Sequence, residues 1–298
     1  MKLLFTGASG FLGQNVKPLL ENIYEVNTMG LTDIDHFRAD LSKEIPNLPE
    51  NFDIVFHAAG KAHSIPNSTE EEKVFFNVNY QGTVNLCKAL EESTLPKAFI
   101  FVSTVAVYGV EFGDNISEHH PLEGESPYAL SKIKAEQYLT EWCNRNNVKL
   151  GIIRPSLIAG PNAPGNLGAM VNGIKTGKYL SIGDGGARKS VLMVQDIATL
   201  VPLLVEKGGT YNVCDDVQPS FRELEIIIAK QLDKNQPKSV PFFIAKAMAL
   251  VGNLLGSKAP INSLKLKKIT KSLTFSNEKA KNELGWKPIN VLQNYKIK

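Results

Sequence analysis

Tyr128 and Lys132 are the residues of this 298-residue chain whose types and spacing most directly indicate chemistry. In the segment around them, Ser126 can cap a helix and Pro127 suits its first turn. Residues four apart share one face of a helix, and an ammonium beside a phenol favours the phenolate. The pair therefore predicts a tyrosine that takes or gives a proton near neutral pH. Because many helices carry this spacing by chance, the prediction depends on a cofactor site elsewhere in the chain.

A glycine-rich turn near residue 10 indicates such a site. Residues 2–6 form an apolar run that predicts a buried strand, and Gly7, Gly10 and Gly13 follow before a helical pattern begins. In this arrangement the first glycine allows a tight turn, the second lets the backbone approach a pyrophosphate, and the third lets helix and strand pack closely. The free N–H groups at the helix start favour the phosphate charge. We expect a dinucleotide site here rather than an ordinary strand-to-helix turn.

Strand-like and helical segments alternate through the first half of the chain, which predicts an α/β fold. We expect a Rossmann doubly wound parallel sheet with a smaller, mostly helical substrate-binding domain. The dinucleotide-binding domain is predicted over residues 1–155, with 190–215 returning to it, and the substrate-binding domain over 156–189 and 216–298. Glycine and proline are dense between residues 160 and 186, which predicts an irregular segment lining a cleft.

Composition excludes several function classes. The net charge of +3 is too small to indicate nucleic-acid binding. The three cysteines show no metal-ligand spacing and are too few for a disulfide framework, which predicts reduced thiols in a cytoplasmic protein. No histidine has zinc-ligand spacing with a partner, so we expect no metal site.

The longest apolar stretch runs from Phe242 to Gly256 and contains Lys246 and Asn253. It falls short of the roughly 20 residues needed to span a bilayer, so we expect no transmembrane segment. A core helix is favoured over a surface anchor on a membrane.

The motifs, taken in order, resemble those of the extended short-chain dehydrogenase/reductase family. More narrowly, the chain is similar to the NAD-dependent epimerase/dehydratase group, whose members act on nucleotide sugars. The resemblance covers nearly the whole chain and rests on these segments: Thr6-Gly7-x-x-Gly10-x-x-Gly13, Asp40-Leu41, His57-Ala58-Ala59-Gly60, Ser103-Thr104, Val107-Tyr108-Gly109, Tyr128-x-x-x-Lys132, Arg154-Pro155, Gly160-Pro161, Gly165-Asn166, Arg188-Lys189-Ser190-Val191, Asp196 and Leu284-Gly285-Trp286-x-Pro288.

The resemblance implies a catalytic role for three residues. Tyr128 would be the general acid/base, Lys132 would bind the nicotinamide ribose and lower the tyrosine pKa, and Thr104 would hold the substrate hydroxyl or ketone. Asn166 and Arg188 would contact the substrate diphosphate, a role that the planar guanidinium of Arg188 suits. The implied cofactor contacts are Gly7, Gly10, Phe11, Leu12, Gly13, Asp40, Leu41, Ala58, Ala59, Gly60, Asn79, Tyr128, Lys132 and Pro155. The resemblance also implies a homodimer.

The choice between NAD and NADP is left open by the sequence. NAD enzymes often carry an acid at the end of the second strand, where it holds the adenine ribose. That place falls at Gly30, and Asp33 and Asp35 are expected in the following loop. With neither an acid nor an arginine at the position, we expect weak discrimination between the two cofactors.

The function we expect is epimerisation at C4 of a UDP-hexose or UDP-N-acetylhexosamine. The alternative is a reductase that uses NAD(P)H to reduce an external 4-keto sugar. Dehydration is disfavoured, because dehydratases of this family usually place Asp-Glu after the catalytic threonine, whereas Val105 and Ala106 follow Thr104. A non-catalytic dinucleotide sensor is the alternative from another class, but such relatives typically lose the tyrosine or the lysine.

Overall fold

The computed structural model describes residues 1–62, 64, 66–254 and 261–297. The strands are β1 (Lys2–Thr6), β2 (Glu25–Gly30), β3 (Phe37–Arg38), β4 (Ile54–His57), β5 (Ala98–Val102), β6 (Gly113–Ile116), β7 (Lys149–Pro155), β8 (Leu157–Ala159), β9 (Ser181–Ile182), β10 (Val191–Met193), β11 (Gly209–Val213), β12 (Ser239–Val240) and β13 (Leu273–Phe275). The α-helices are α1 (Phe11–Leu20), α2 (Thr69–Phe75), α3 (Gly82–Glu92), α4 (Pro127–Asn146), α5 (Gly165–Lys175), α6 (Gln195–Lys207), α7 (Phe221–Gln231), α8 (Phe242–Leu254), α9 (Ser263–Thr270), α10 (Glu278–Leu284) and α11 (Val291–Asn294). A π-helical turn (Phe76–Gln81) joins α2 to α3, and a 3₁₀ turn (Val105–Tyr108) follows β5.

The central sheet has seven strands in the order β3-β2-β1-β4-β5-β7-β11. All its strand pairs are parallel. The chain runs from β1 to one edge of the sheet and then returns to the other side of β1, so the strand order reverses between β1 and β4. This confirms the predicted Rossmann fold, and in such folds ligands bind at the carboxyl ends of the strands where the order reverses.

The core lies on both faces of this sheet, because side chains alternate along each strand. Along β1, Leu3 and Phe5 pack with α1 and α6 on one face. Leu4 faces the other side, where it belongs to a cluster with Phe99 and Trp142. Burial on both faces explains why the strands are continuous apolar runs rather than alternating ones.

The region between residues 160 and 186 is more regular than the sequence predicted. It contains α5, an 11-residue helix that buries Leu167, Met170 and Ile174 against α7. The prediction of an irregular segment is wrong here because glycines mask the helical period. Gly168 serves close packing, since a Cβ built there would lie 2.3 Å from the carbonyl oxygen of Ala163.

The long apolar stretch forms helix α8, but the prediction of a core helix is also wrong. Only small residues of α8 are buried, namely Ala245, Ala249 and Gly252. The large side chains are exposed, among them Phe243 at 71% and Leu254 at 88%. Residues 255 and 256, at the end of the stretch, lie outside the described residues. Within the described part of the chain, no helix has both the length and the apolar character needed to cross a membrane.

Candidate active site

Helix α4 and the end of β5 bring the predicted catalytic hydroxyls together. Ser126 caps α4 by accepting a hydrogen bond from the Ala129 amide (3.2 Å), which fixes Tyr128 in the first turn. Thr104 caps the 3₁₀ turn after β5 in the same way, with its Oγ1 accepting from the Ala106 amide at 3.1 Å. The Thr104 side chain lies close enough to Tyr128 to lower the pKa of its phenol. The two caps therefore place two hydroxyl groups where one substrate oxygen could meet both.

Lys132 lies one turn further along α4, with its ammonium held inside the protein. Its Nζ donates a hydrogen bond to the carbonyl oxygen of Val102 (2.8 Å) and lies 4.5 Å from the ring centre of Phe101. Burial lowers the pKa of Lys132 to about 8, although the charge of Glu136 opposes this shift. A Cβ built on Gly60 would lie 3.3 Å from Nζ, so the loop after β4 passes directly against the lysine.

The protonation of Tyr128 differs from the sequence expectation. Burial raises the pKa of Tyr128, and the Thr104 side chain lowers it by a smaller amount. Among the described residues these are the influences on its pKa, since the Lys132 ammonium donates to the Val102 carbonyl instead. The expected lowering of the tyrosine pKa by Lys132 is therefore absent from this arrangement, and Tyr128 is a neutral phenol at pH 7.

The glycine-rich turn lies against the loop after β4. Gly7 has φ +83°, a conformation that favours glycine, and a Cβ there would lie 2.5 Å from the Ala59 amide nitrogen. A Cβ on Gly13 would lie 2.4 Å from Ala8, so this glycine permits close packing of the helix. Gly10 is the N-cap of α1 and provides no side-chain cap. The N–H groups of the first turn of α1 are thus left for an anion.

The other predicted cofactor contacts line the same edge of the sheet or support it. Phe11, Leu12 and Ala58 are partly buried against the core cluster of α1 and α6. Leu41 is buried against Gly82 at the start of α3, and Pro155 is buried at the end of β7. Asp40 accepts hydrogen bonds from the amide and hydroxyl of Ser42 and pairs with Lys43 at 2.8 Å.

Asn79 supports the site from inside the protein. It lies in the π-helical turn and is fully buried. Its Nδ2 donates to the Ser131 hydroxyl (2.9 Å) and to the Lys61 carbonyl (3.1 Å), and its Oδ1 accepts from the Lys61 amide (2.7 Å). Because both of its amide protons are used within the protein, Asn79 links the loop after β4 to α4 rather than offering donors to a ligand.

His57 is fully buried beneath this loop with both ring nitrogens occupied. Nδ1 lies 2.6 Å from the Thr6 hydroxyl and Nε2 lies 2.9 Å from the Thr83 hydroxyl. Thr83 donates its proton to the Asn79 carbonyl, so Nε2 must be the protonated nitrogen and Nδ1 the acceptor. Burial, aided by the charge of Lys132, lowers the pKa of His57 to about 3. The ring is a neutral structural element.

A buried ion pair below Tyr128 was missed by the sequence analysis. Glu136 lies one turn after Lys132 and forms two bonds with Arg154, one of 2.5 Å to Nη2 and one of 3.1 Å to Nε. The Ser103 hydroxyl also donates to Glu136, and Arg154 donates to the Tyr108 hydroxyl at 2.9 Å. The network joins α4 to the ends of β5 and β7, so it fixes the elements that carry Tyr128 and Thr104.

The end of β2 requires a correction. The sequence placed no acid at Gly30, but the Asp35 carboxylate folds back over it, and a Cβ on Gly30 would lie 2.6 Å from Asp35 Oδ2. The Thr32 amide (3.1 Å) and hydroxyl (2.5 Å) both donate to the same Oδ2 and hold the carboxylate there. A carboxylate therefore does stand at this strand end, supplied by the loop.

The predicted substrate contacts lie on separate elements. Asn166 is exposed in the first turn of α5. Arg188 is half-exposed, donates from Nη1 to the Gln218 carbonyl (2.6 Å) and lies 3.7 Å from the Glu223 carboxylate. Lys189, beside it, was not predicted as a site residue; burial and the charge of Lys268 lower its pKa to about 8.

Comparisons with known proteins identify the family of this chain. Residues 3–214 match the model of the NAD dependent epimerase/dehydratase family. The chain is 27% identical to the N-acetyl-α-D-glucosaminyl-diphospho-ditrans,octacis-undecaprenol 4-epimerase of Escherichia coli O157:H7, over 93% of this chain and 88% of that one. It is 29% identical to the UDP-glucose 4-epimerase of Vibrio cholerae, over 98% and 92%. It is 28% identical to the GDP-6-deoxy-D-mannose reductase of Pseudomonas aeruginosa, over 76% and 79%.

Two solved structures show the same fold. The UDP-glucose 4-epimerase of Thermotoga maritima, solved with UDP-glucose, superposes with a TM-score of 0.74 at 21% identity and covers 98% of this chain and 96% of its own. RMD from Pseudomonas aeruginosa, solved with NADPH, gives 0.73 at 23% identity and covers 98% and 95%. The family, the enzyme class and the dependence on NAD or NADP that the motifs predicted are confirmed. The chain belongs to the NAD-dependent epimerase/dehydratase family and is an NAD(P)-dependent enzyme of its sugar-nucleotide epimerase and reductase group.

Proposed function

We propose that this enzyme epimerises C4 of a UDP-hexose or UDP-N-acetylhexosamine. The observation that carries the proposal is the hydroxyl pair of Thr104 and Tyr128, held at a strand end beside the buried ammonium of Lys132. Two hydroxyls that meet one substrate oxygen can hold it and move its proton, as oxidation of an alcohol requires. Relatives named as 4-epimerases support this choice.

The residues of the glycine-rich turn fit a dinucleotide. Gly7 lets the turn pack against Ala59, and a Cβ built on Gly10 would meet only the Gly7 carbonyl oxygen, at 3.5 Å. Helix α1 begins without a side-chain cap, so a pyrophosphate would find both space and donors at this turn. When bound, NAD would accept a hydride from C4 of the sugar and return it. Lys132 lies next to Gly60 in the loop after β4, and we propose that it holds a ribose of the cofactor.

Tyr128 is proposed as the group that moves the proton at O4. Tyr128 must first release its own phenol proton to solvent; as the phenolate it then takes the O4 proton in the oxidation and gives it back to the same oxygen in the return step. Thr104 holds O4 during both steps. Asn79 and the Glu136–Arg154 pair position these elements without touching the sugar.

A 4-keto-sugar reductase remains the second candidate, and the protonation of Tyr128 favours it. A neutral phenol is the form that donates a proton to a ketone oxygen, and burial keeps Tyr128 in that form. A relative named as a GDP-sugar reductase supports this reading. A non-catalytic sensor is disfavoured, because Thr104, Tyr128 and Lys132 are all present, whereas such relatives typically lose the tyrosine or the lysine.

For the cofactor, we propose a preference for NAD over NADP. The carboxylate of Asp35 stands at the end of β2, where a carboxylate binds the ribose hydroxyls of NAD and repels a 2′-phosphate. This replaces the weak discrimination expected from Gly30 alone.

For the substrate, we propose that Asn166 and Arg188 contact the diphosphate. Arg188 is half-exposed and its planar group suits phosphate oxygens. We also propose the domain boundaries predicted from the sequence. Strand β11 lies in residues 190–215, the segment predicted to return to the dinucleotide-binding domain, and it pairs with β7 in the central sheet. Finally, we propose a homodimer and a cytoplasmic location.

The experiment is incubation of the purified protein with NAD and a panel of sugars, followed by NMR of the anomeric protons. The panel holds UDP-glucose, UDP-N-acetylglucosamine and N-acetylglucosaminyl-diphospho-undecaprenol, the last suggested by the name of the E. coli relative. We expect one sugar to yield its C4 epimer. If none does, while a 4-keto sugar nucleotide is reduced with NAD(P)H, the reductase reading replaces the epimerase.

A further inference from the structure

Helix α8 reverses the usual distribution of side chains on a surface helix. Such helices bury an apolar face and expose a polar one. In α8 the buried face consists of Ala245, Ala249 and Gly252, and the two alanines pack with Leu266 of α9. The large apolar side chains of the helix are exposed: Phe242, Phe243, Ile244, Met248, Leu250, Val251 and Leu254.

The exposed apolar residues lie on the side of α8 that points away from the protein. With about 100° between successive residues, Phe243, Leu250 and Leu254 fall opposite the buried small residues. Contiguous exposed apolar surfaces of this kind mark interaction sites, whereas single exposed apolar residues do not. We call this face of α8, with its lysine-bearing neighbour α9, the α8 surface.

The sequence segment that contains α8 and α9 is strongly basic. Between Asp233 and Glu278 the sequence contains eight lysines and no acidic residue, although the whole chain carries a net charge of only +3. Lys246 is an exposed member of α8 itself, and Lys268 is exposed on α9. This segment therefore holds far more positive charge than the rest of the molecule.

Helix α9 brings its lysines to the side of α8. The side-chain Nδ2 of Asn253 in α8 donates to the Ser263 hydroxyl at 2.8 Å. The backbone N–H of Ser263 donates in turn to Asn253 Oδ1 at 3.0 Å. Lys267 and Lys271 of this region lie 4.7 and 4.4 Å from the ring centre of Phe112, an exposed aromatic residue. Glu111 lies beside two of the α9 lysines, 3.6 Å from Lys267 and 3.7 Å from Lys268.

The length of α8 fits insertion parallel to a bilayer rather than across it. Thirteen residues give a helix of about 20 Å, short of the roughly 30 Å hydrocarbon core. Amphipathic helices that lie in the membrane interface combine an apolar face with flanking lysines, which reach the anionic headgroups. The α8 surface has both parts.

We propose that the α8 surface docks the enzyme on an anionic lipid bilayer. Phe243, Leu250 and Leu254 enter the headgroup–acyl boundary, while the lysines of α8 and α9 contact lipid phosphates. The combination of apolar exposure with this excess of lysines favours an anionic membrane over a protein partner or a second copy of the chain, because a second copy would bring the same positive charge. The proposal is independent of the sugar on which the enzyme acts.

The test is flotation of the full-length protein with phosphatidylcholine vesicles, with and without phosphatidylglycerol. We expect binding to the anionic vesicles, weakened by added salt. Because Leu250 and Leu254 supply buried apolar area in the bound state, L250E/L254E should weaken binding by at least roughly tenfold. Lys246→Glu/Lys268→Glu should weaken binding to anionic vesicles while leaving the apolar face intact.

The matched control is I23E/L95E, which places the same two charges at exposed apolar positions outside the α8 surface. It should bind vesicles as the wild type does, and both variants should retain wild-type turnover of a water-soluble sugar nucleotide. Absence of vesicle binding, or equal loss in L250E/L254E and the control, would overturn the proposal. So would a wild-type oligomer that dissociates in L250E/L254E without any vesicle binding, since the face would then be a subunit interface.

Discussion

The catalytic region and the α8 surface depart from the usual distribution of residues in opposite ways. Around Tyr128 the protein buries charged and polar groups, including Lys132, Glu136 and Arg154. On α8 it exposes large apolar groups. In the first region nearly every buried polar group has a partner within the chain, whereas the described part of the chain leaves the large apolar groups of α8 uncovered. The first region is therefore completed by folding, whereas the second is the surface that we propose a lipid bilayer covers.

The largest effect expected in the catalytic region follows from removing the Tyr128 hydroxyl. Tyr128→Phe should lower turnover by roughly 10²–10⁴-fold, the range for lost general acid–base catalysis, with NAD affinity largely intact. Steady-state kinetics with the active sugar would show this. Tyr138→Phe is the control, because that tyrosine lies three turns away on the same helix. Near wild-type turnover of Tyr128→Phe would remove the tyrosine from the mechanism.

Removing one member of the buried ion pair should mainly affect stability. Glu136→Leu leaves the Arg154 guanidinium buried without its carboxylate and should cost about 3–5 kcal/mol in the free energy of unfolding. Urea denaturation measures the loss. Glu136→Leu/Arg154→Met removes both charges and should recover most of the stability. If the double variant is no more stable than the single one, the cost arises from lost packing instead.

The proposed phosphate contact gives an intermediate effect. Arg188→Ala should weaken UDP binding by about 1.5–3 kcal/mol, the scale of a hydrogen bond to a charged group. Isothermal calorimetry with UDP measures it. Arg222→Ala is the matched control, since Arg222 also lies at the surface but pairs with Glu225. Equal affinity in Arg188→Ala and the wild type would mean that the bond to the Gln218 carbonyl is the whole role of Arg188.

The carboxylate at the end of β2 should set the cofactor preference. The wild type should favour NAD over NADP by more than tenfold, and Asp35→Asn should reduce this ratio by about tenfold, or about 1.4 kcal/mol. Titration of the apoprotein with both cofactors gives the ratio. Asp33→Asn is the control, because Asp33 is exposed and pairs with Arg38. A wild type that binds NADP as well as NAD would contradict the role of Asp35.

The neutral state of His57 predicts a modest dependence of stability on pH. Its folded pKa of about 3 lies below the ordinary value of 6.5, so between these pH values the unfolded chain binds more protons and stability falls as the pH falls. One group can contribute up to about 1.4 kcal/mol per pH unit. The gap in unfolding free energy between the wild type and His57→Gln should therefore narrow from pH 6.5 to pH 4. A constant gap would show that His57 does not titrate on unfolding.

The sequence predicted those parts of the molecule that depend on local spacing. The glycine turn and the parallel strands each depend on a short segment, and the structure contains both. Tyr128 and Lys132 lie four apart on α4 as the spacing predicted, but the Lys132 ammonium donates to the Val102 carbonyl. The sequence could not predict that the Asp35 carboxylate stands at Gly30, because its position depends on a loop that the Thr32 hydroxyl holds in place. Nor did it predict the Glu136–Arg154 pair, which joins two elements across the fold. For α8, hydrophobicity predicted burial, but the small residues provide the buried face and leave the large ones outside.

The most direct test of the central proposal follows the hydrogen at C4. UDP-N-acetylglucosamine carrying deuterium at C4, or whichever sugar of the panel is active, is incubated with the enzyme and a trace of NAD. The account predicts that the C4 epimer forms with its deuterium retained and without net production of NADH, because the same hydride leaves and returns. An epimer that has lost its deuterium to solvent, or a reaction that consumes NAD(P)H in proportion to product, would contradict it.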